Sequence, residues 1–290
     1  MISASLVKEL REKTGAGMLD CKKALEECNA NIEEATTWLR EKGISSAEKK
    51  ASRIAADGLA SILIKDNNAV IVEVNSETDF VAKNQEFVDL VNDIMTAIMN
   101  NNPKSDEDVL YLEIDGIKIE DLIVEKTSKM GEKLSFRRFT KLSKSDNQVF
   151  GSYIHMGGKI AVVIVLDGAS EEVANNVAMQ AAAMRPLVVR RDDLSQEEID
   201  KERAILKEQA INEGKPEDIA SKMVEGRIAK YYKEVCLEEQ EYVKDGDITV
   251  GKYVGNNDSS INKMIRYEVG EGMEKREENF AEEVAKQMNG

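Results

Sequence analysis

The chain has 290 residues, with 40 basic against 55 acidic side chains and a net charge of −15. This length is enough for roughly two domains with sizeable cores. The negative charge repels phosphate backbones, so we expect a protein partner and no direct nucleic-acid contact. No apolar run approaches the ~20 residues of a membrane span, and no targeting leader precedes the first amphipathic pattern. We therefore expect a cytoplasmic protein without membrane contact.

Residues that usually carry metal or catalytic chemistry are sparse. Cys21, Cys28 and Cys236 form no metal-ligand pair, and with a single histidine a zinc site is not expected. His155 is the only general base of its type, and neither a nucleophile elbow nor a phosphate-binding glycine loop is present. We expect no cofactor and no enzymatic chemistry. An enzyme that pairs His155 with a carboxylate stays an alternative.

Residues 3–43 are predicted to form three short helices, the third of which ends at Gly43. Asn31, with Glu34 three residues later, resembles a capping box that opens the third helix. Apolar residues mark the inner faces: Leu6, Val7, Leu10, Met18, Cys21, Ala24, Leu25, Cys28, Ile32, Ala35, Trp38 and Leu39. A module of this size is typical of a docking domain, and a merely stabilising appendage is the alternative.

Residues 57–185 contain an approximate internal repeat in which each half is a hairpin followed by a helix. The first half has strands at Leu59–Lys65 and Ala69–Val74 and a helix near 79–99. The second half has strands at Phe136–Leu142, Val149–Ile154 and Ile160–Leu166, with a helix that Pro186 ends. The pattern predicts an α+β fold with two related antiparallel sheets.

A helical hairpin is predicted to follow the repeat. Ser195 and Glu198 form a capping box, Gly214 stops the first helix, and Pro216 suits the start of the second, which carries Ile219, Met223, Ile228 and Tyr231. The hairpin serves as a structural protrusion or a binding arm. A strand over Asn262–Val269 and an amphipathic helix over Asn279–Met288 complete the chain.

These patterns divide the chain into seven segments. They are a docking domain (1–45), a connector (46–56), the core N-half (57–135), the first part of the core C-half (136–194), the helical hairpin (195–236), the return to the core C-half (237–270) and a C-terminal helical module (271–290).

The turn before the helix near residue 79 is the most informative local feature. Ser76, Thr78 and Asp79 are suited to cap a helix start, which would place Phe80 in the first turn. Spacing alone favours a buried Phe80, because it lies seven residues before Phe87 and nearly in phase with it. The equivalent turn of the second half has no aromatic residue, which weakens a packing role. Both interpretations stay open at this point.

Four passages resemble one family, that of bacterial translation elongation factor Ts. They are Leu6–Leu25, Glu73–Ala82, Gly151–Ile160 and Arg266–Gly272, in the family's order, and Lys222–Arg227 is similar to its helical hairpin. The resemblance implies a ubiquitin-associated-like three-helix domain, two related antiparallel-sheet-plus-helix subdomains and a protruding coiled-coil hairpin. It also implies a guanine nucleotide exchange factor for the translational GTPase elongation factor Tu. It leaves open a homodimer formed through the complex.

The resemblance also implies roles for particular residues. Those matching the segment that dislodges Mg²⁺ from the partner are Thr78, Asp79, Phe80 and Val81, with Phe80 as the wedge. Those matching a loop of the core half that faces the partner's distal domain are His155, Met156, Gly157 and Gly158. Those expected to dock the N-terminal domain are Leu10, Thr14, Gly15, Gly17 and Met18. A plain adaptor, in which the three-helix module binds and the core only supports it, is the alternative.

Overall fold

The structure is a computed structural model that describes residues 2–14, 16–168 and 170–274. Helices and antiparallel strands alternate along these residues, which confirms the α+β class. They divide into two compact units. The first holds the described residues of Met1–Ser61, Val72–Phe139 and Glu268–Gly290, and the second holds those of Ile62–Ile71 and Thr140–Tyr267. Within the described ranges, no helix is both long and apolar enough to cross a membrane.

The elements follow one another in chain order. The helices are α1 (Ala4–Thr14), α2 (Met18–Glu27), α3 (Ile32–Lys50), α4 (Asp79–Ala82), α5 (Gln85–Asn100), α6 (Asp106–Leu110), α7 (Ile119–Met130), α8 (Glu171–Met184), α9 (Gln196–Asn212), α10 (Glu217–Val235) and α11 (Val250–Gly255). The strands are β1 (Asp57–Lys65), β2 (Asn68–Ser76), β3 (Glu113–Ile114), β4 (Ile117–Lys118), β5 (Ser135–Ser143), β6 (Gln148–His155), β7 (Ile160–Asp167), β8 (Glu241–Tyr242), β9 (Asp245–Thr249) and β10 (Ser260–Glu268). Single 3-10 turns lie at Arg191–Asp193 and Leu237–Glu239.

The N-terminal helices α1, α2 and α3 pack around a small core of their own. The side chain of Asn31 accepts hydrogen bonds from the amides of Glu33 and Glu34, so it caps α3 as predicted. Trp38 packs against this core, and the ammonium of Lys42 lies 5.3 Å from the ring centroid. The fully buried or nearly buried members are Val7, Leu10, Cys21, Ala24, Leu25 and Ala35.

Helix α3 does not end at Gly43, and that prediction is wrong. The helix continues to Lys50, through the first part of the expected connector. It contacts α7, and a Cβ atom at position 43 would lie 3.4 Å from Oγ of Ser128. Position 43 therefore lies inside α3, facing α7 at ordinary van der Waals distance, and does not cap the helix.

The two main sheets have the same topology. Their strand orders are β1-β2-β5 and β10-β7-β6. In each case a hairpin is followed by a helix, and a later strand pairs beside the second strand of the hairpin. The predicted repeat is thus visible in the strand order. The assignment of Phe136–Leu142 to the second half is wrong, because β5 pairs with β2.

Strand β7 forms the centre of the second unit. Its apolar run is buried from Ile160 to Leu166, and its register with β6 pairs Gln148 with Asp167 and His155 with Ile160. Helix α8 covers both strands. A Cβ atom at Gly151 would lie 2.2 Å from backbone atoms of Ala174, so only glycine permits this approach.

The predicted pair of helices is present as α9 and α10, which contact each other. Ser195 and Glu198 form the capping box, and Gly214 has a left-handed φ of +82° where α9 ends. Ala220, Val224 and Ile228 of α10 are buried. Of the apolar residues noted from the sequence, Ile228 is buried, whereas Ile219 is exposed beside the buried Ala220.

Several elements were not predicted. They are α6, β3, β4 and α7 in the first unit and β8, β9 and α11 in the second. The predicted helix at Asn279–Met288 and most of the 271–290 segment lie outside the described residues.

Candidate functional site

The turn after β2 contains a helix of one turn. Thr78 caps α4, because its hydroxyl oxygen accepts a hydrogen bond from the amide of Val81 at 3.4 Å. The hydroxyl of Ser76 donates to the carbonyl of Thr78 at 2.9 Å. Helix α5 then starts separately, capped by Asn84, whose side chain accepts from the amide of Glu86. The single helix predicted near 79–99 is therefore two helices.

This break decides the position of Phe80. The seven-residue spacing to Phe87 no longer places both rings on one helix face, since they belong to different helices. Phe87 is fully buried, whereas the side chain of Phe80 is 82% exposed. The buried alternative for Phe80 is wrong. A large apolar ring held in solvent is a feature that binding surfaces use.

Asp79 lies in the first turn of α4, where a negative charge is favourable. Its carboxylate accepts a hydrogen bond from the ammonium of Lys83 at 2.6 Å. This hydrogen bond raises the pKa of Lys83, and the charge of Asp79 acts in the same direction. The cap itself is Thr78, so Asp79 contributes an ion pair and a helix-end charge beside the Phe80 ring.

Two further carboxylates, Glu132 and Glu77, link this turn to the residues that follow α7. Glu132 accepts from the amide of Thr78 at 3.0 Å and from its hydroxyl at 2.7 Å. Glu77 accepts from the amide of Lys133 at 2.6 Å and from the guanidinium of Arg53 at 3.2 Å. Sequence reasoning missed these contacts. The only local signal was Gly131, whose left-handed backbone ends α7 immediately before them.

Strand β2 also carries a fully buried carboxylate, Glu73. Arg137 and Arg138 donate to it at 2.8 and 2.7 Å, and the amide of Gly270 donates at 2.8 Å. Arg137 also donates to the carbonyl of Glu271. The two guanidinium groups offset the cost of burying the charge. The cluster thereby joins two of the family-like passages, those at Glu73–Ala82 and Arg266–Gly272.

The loop between β6 and β7 in the second unit presents His155 and Met156. Three successive residues, Met156, Gly157 and Gly158, have left-handed φ angles of +50°, +63° and +95°. The amide of Gly158 donates to the carbonyl of His155 at 3.2 Å, which closes the turn. Met156 is 72% exposed, and the exposed imidazole stacks on Tyr153 with centroids 5.9 Å apart. The Tyr153 hydroxyl also lies 3.5 Å from Nδ1 of His155. The loop therefore displays His155 and Met156 to solvent.

The residues expected to dock the N-terminal helices have different surroundings. Leu10 is fully buried in the core of the three helices. Thr14 donates its hydroxyl to the Leu10 carbonyl at 2.7 Å, which supports the end of α1. Gly17 precedes α2 in an extended conformation, and Met18 is 60% exposed. Its neighbour Leu19, which was not predicted as a docking residue, is 84% exposed. Gly15 lies outside the described residues.

No group of three or more His, Cys, Asp or Glu side chains could hold a metal ion in the described ranges. Cys21, Cys28 and Cys236 are free thiols. Burial raises the pKa of Cys236 to about 11, which keeps this thiol protonated at neutral pH.

An exposed aromatic ring in the first unit and an exposed loop in the second are features typical of proteins that bind other proteins. The family model described as "Elongation factor TS" matches residues 77–271, well over half of the chain. The chain therefore belongs to the elongation factor Ts family. Membership implies a nucleotide exchange factor for elongation factor Tu in translation elongation, which does not itself catalyse chemistry. The matched range includes the Phe80 turn and the His155 loop but not the three N-terminal helices.

Proposed function

We propose that the chain promotes GDP release from elongation factor Tu by inserting Phe80 at the partner's nucleotide site. The observation that carries this proposal is the 82% exposure of Phe80 on a helix of one turn whose cap is fixed by other side chains. A ring in that position is available for insertion without unfolding of its own element. Thr78, Asp79 and Val81 are the neighbours that hold and flank it.

The mechanism is one of linkage. A factor that binds the nucleotide-free GTPase more tightly than the GDP-bound form lowers the affinity for GDP by the same ratio. Burial of one phenylalanine contributes about 1.5–3 kcal/mol, or roughly 10- to 150-fold in an equilibrium. The ring alone is too weak for strong displacement. It acts by shifting the partner's Mg²⁺ ligands and phosphate-binding loop, because loss of Mg²⁺ removes the main countercharge of the phosphates.

Docking elsewhere supplies the energy that holds the ring in place. The three-helix domain, which we propose is ubiquitin-associated-like, docks through Met18 together with Thr14, Gly15 and Gly17. Exposure of Met18 supports this surface, whereas the burial of Leu10 gives that residue a supporting role. The loop from His155 to Gly158 contacts the partner's distal domain, and its exposed Met156 supports that contact.

The remaining expectations complete the proposal. Apart from Phe136–Leu142, which pairs with the first sheet, and the start of the connector, which belongs to α3, the division into segments is kept. In this proposal the 195–236 hairpin is a coiled coil and a homodimer forms through the complex. The protein acts in the cytoplasm without direct nucleic-acid contact. The ion pairs between α9 and α10, such as Arg227–Glu213 at 2.6 Å and Lys207–Glu217 at 2.7 Å, support a stable two-helix arm.

The test is release of a fluorescent GDP analogue from elongation factor Tu of the same source, followed at increasing concentrations of the chain. Phe80→Ala should lower the maximal rate by about tenfold or more, with binding largely kept. Tyr111→Ala is a matched control, because it removes another exposed aromatic ring of the first unit and should leave the rate unchanged.

Two results would count against the proposal in different ways. Acceleration that is indifferent to Phe80→Ala would keep exchange and move the mechanism to the docking surfaces. A wild-type chain that fails to accelerate release at any concentration would overturn exchange and leave the adaptor.

A further inference from the structure

We propose that Glu132 is a positioning residue for exchange: its carboxylate, with that of Glu77, fixes the one-turn helix that carries Phe80. This inference rests on the proposed function of Phe80. The four residues concerned, Glu77, Thr78, Glu132 and Lys133, are called the clasp below.

The bonds from Glu132 determine how Thr78 acts as a cap. The Thr78 hydroxyl has one hydrogen, and at 2.7 Å from Glu132 it donates that hydrogen to the carboxylate. Its lone pairs are then directed to the Val81 amide, which donates to the same oxygen at 3.4 Å. The second carboxylate oxygen accepts from the Thr78 amide at 3.0 Å. Glu132 thus holds both the backbone of the cap and the rotamer of its hydroxyl.

The clasp is reciprocal. Glu77 accepts from the amide of Lys133 at 2.6 Å, so each of the two segments presents a carboxylate to a backbone amide of the other. The ammonium of Lys133 donates to the carbonyls of Ala51 at 2.7 Å and Arg53 at 3.0 Å. Residues 132 and 133 therefore bind the Phe80 turn on one side and the chain just after α3 on the other.

The short helix needs such contacts. Isolated helices below about 12–15 residues are not stable in water, and α4 has four residues. Phe80 itself is largely exposed and contributes little packing to hold the turn. The charge-assisted bonds from Glu132 are therefore a principal restraint on the direction of the ring. A restrained ring loses less conformational entropy on insertion, which favours the inserted complex.

The first test uses the free chain and needs no partner. Hydrogen exchange should be faster at the amides of Thr78 and Val81 in Glu132→Ala by about tenfold, as expected for loss of a charge-assisted hydrogen bond. Amides within α5 should be unaffected. Glu125→Ala removes an exposed carboxylate from the same helix–turn region and should change neither set. If the amides of Thr78 and Val81 exchange as slowly in Glu132→Ala as in the wild type, Glu132 does not hold the turn and the proposal is overturned.

Three further variants separate the clasp from simple misfolding. Glu132→Gln is isosteric but replaces one acceptor oxygen by a donor, so it should give an intermediate effect. Thr78→Val removes the hydroxyl at constant shape, and Thr78→Ser restores it; protection of the Val81 amide should be lost in the first and recovered in the second. Equal protection in these two variants would contradict the role assigned to the hydroxyl.

The second test separates positioning from general stability. In the GDP-release assay, Glu132→Ala should lower the maximal rate about tenfold and change the half-saturating concentration less than about twofold, because the docking surfaces are intact. In a Phe80→Ala background the same change should cost less than about twofold, since the ring to be positioned is absent. Losses that multiply in the double variant would overturn the inference.

Failure of the proposed function gives a different pattern. If Phe80→Ala retains full activity, the wedge is overturned whatever Glu132→Ala does. Hydrogen exchange at the Thr78 and Val81 amides of the free chain then still tests whether Glu132 holds the turn, because that measurement does not depend on the partner.

Discussion

The turn after β2 and the turn after β7 occupy the same place in the two related sheets, but they differ in length and in what they expose. After β2 the chain forms α4, with Phe80 exposed, before α5 begins. After β7 it passes through Gly168 to Ser170, whose hydroxyl accepts from the Val173 amide and caps α8 directly.

The two turns are also held in different ways. Asp167 accepts side-chain hydrogen bonds from Gln148 at 2.6 Å and Asn262 at 3.2 Å, all within its own sheet and the adjoining residues. The turn after β2 is instead held by Glu132, which lies between α7 and β5 and outside the strands of that sheet. A turn closed on its own sheet needs no outside support, whereas a turn that displays an aromatic ring does. The position is shared, and the added helical turn with its exposed Phe80 distinguishes the first copy.

The largest expected contrast lies within the first unit. Phe87→Ala should lower the free energy of unfolding by about 3–5 kcal/mol, because the ring is fully buried. Phe80→Ala should change it by less than about 0.5 kcal/mol, because that ring is already in solvent. Urea unfolding of both variants measures the difference. Comparable losses would contradict an exposed Phe80 in solution.

Gly168→Ala tests how tightly the second turn is closed. Gly168 has a φ of +139°, and a Cβ atom there would lie 2.2 Å from Oγ of Ser259. We expect a loss of about 2–3 kcal/mol from backbone strain and this clash, measured by urea unfolding. Gly246→Ala, where a Cβ atom meets open space, is the control and should stay within about 0.5 kcal/mol. A Gly168→Ala variant as stable as the wild type would contradict the tight packing of this turn against Ser259.

The smallest expected effect concerns pH. The hydrogen bond from Gln148 lowers the pKa of Asp167, with further contributions from Asn262 and Ser260. Because the folded pKa is depressed, the stabilisation is present above the unfolded value of about 3.9 and is lost as pH falls through the folded value. Asp167→Asn should therefore cost about 1 kcal/mol or less at pH 7, and the deficit should shrink below about pH 4.

The check is urea unfolding of wild type and Asp167→Asn between neutral and acidic pH. Asp192→Asn removes an exposed carboxylate from the same unit and serves as the control. A deficit that grows on acidification would contradict the lowered pKa of Asp167.

Sequence patterns predicted the elements whose signals are local. The apolar runs at β2 and β7 and the caps at Asn31, Ser195 and Thr78 were all identified from neighbouring residues. The break between α4 and α5 was missed because the apolar spacing continues across it, although Asn84 is a suitable cap. Gly43 was misassigned because a glycine that ends a helix and a glycine within a helix are identical in sequence.

The parts of the site that depend on distant residues could not be predicted. Glu132 and Glu73 are two among 55 acidic residues, and nothing near either one identifies its partners. Their roles follow from contacts with Thr78, Arg137 and Gly270, which only the folded chain brings together. The pairing of β5 with β2 is hidden for the same reason.

The position of Trp38 has a practical consequence for spectroscopy. It is the only tryptophan of the chain, and it lies in the N-terminal helices beside Lys42. Fluorescence excited selectively at tryptophan therefore reports on the N-terminal helices and gives no signal from the Phe80 turn. A chain carrying Trp38→Phe and Phe80→Trp moves the emitter to the turn. Stopped-flow traces of the two proteins, recorded with a tryptophan-free partner, would time module docking and ring insertion as separate optical signals.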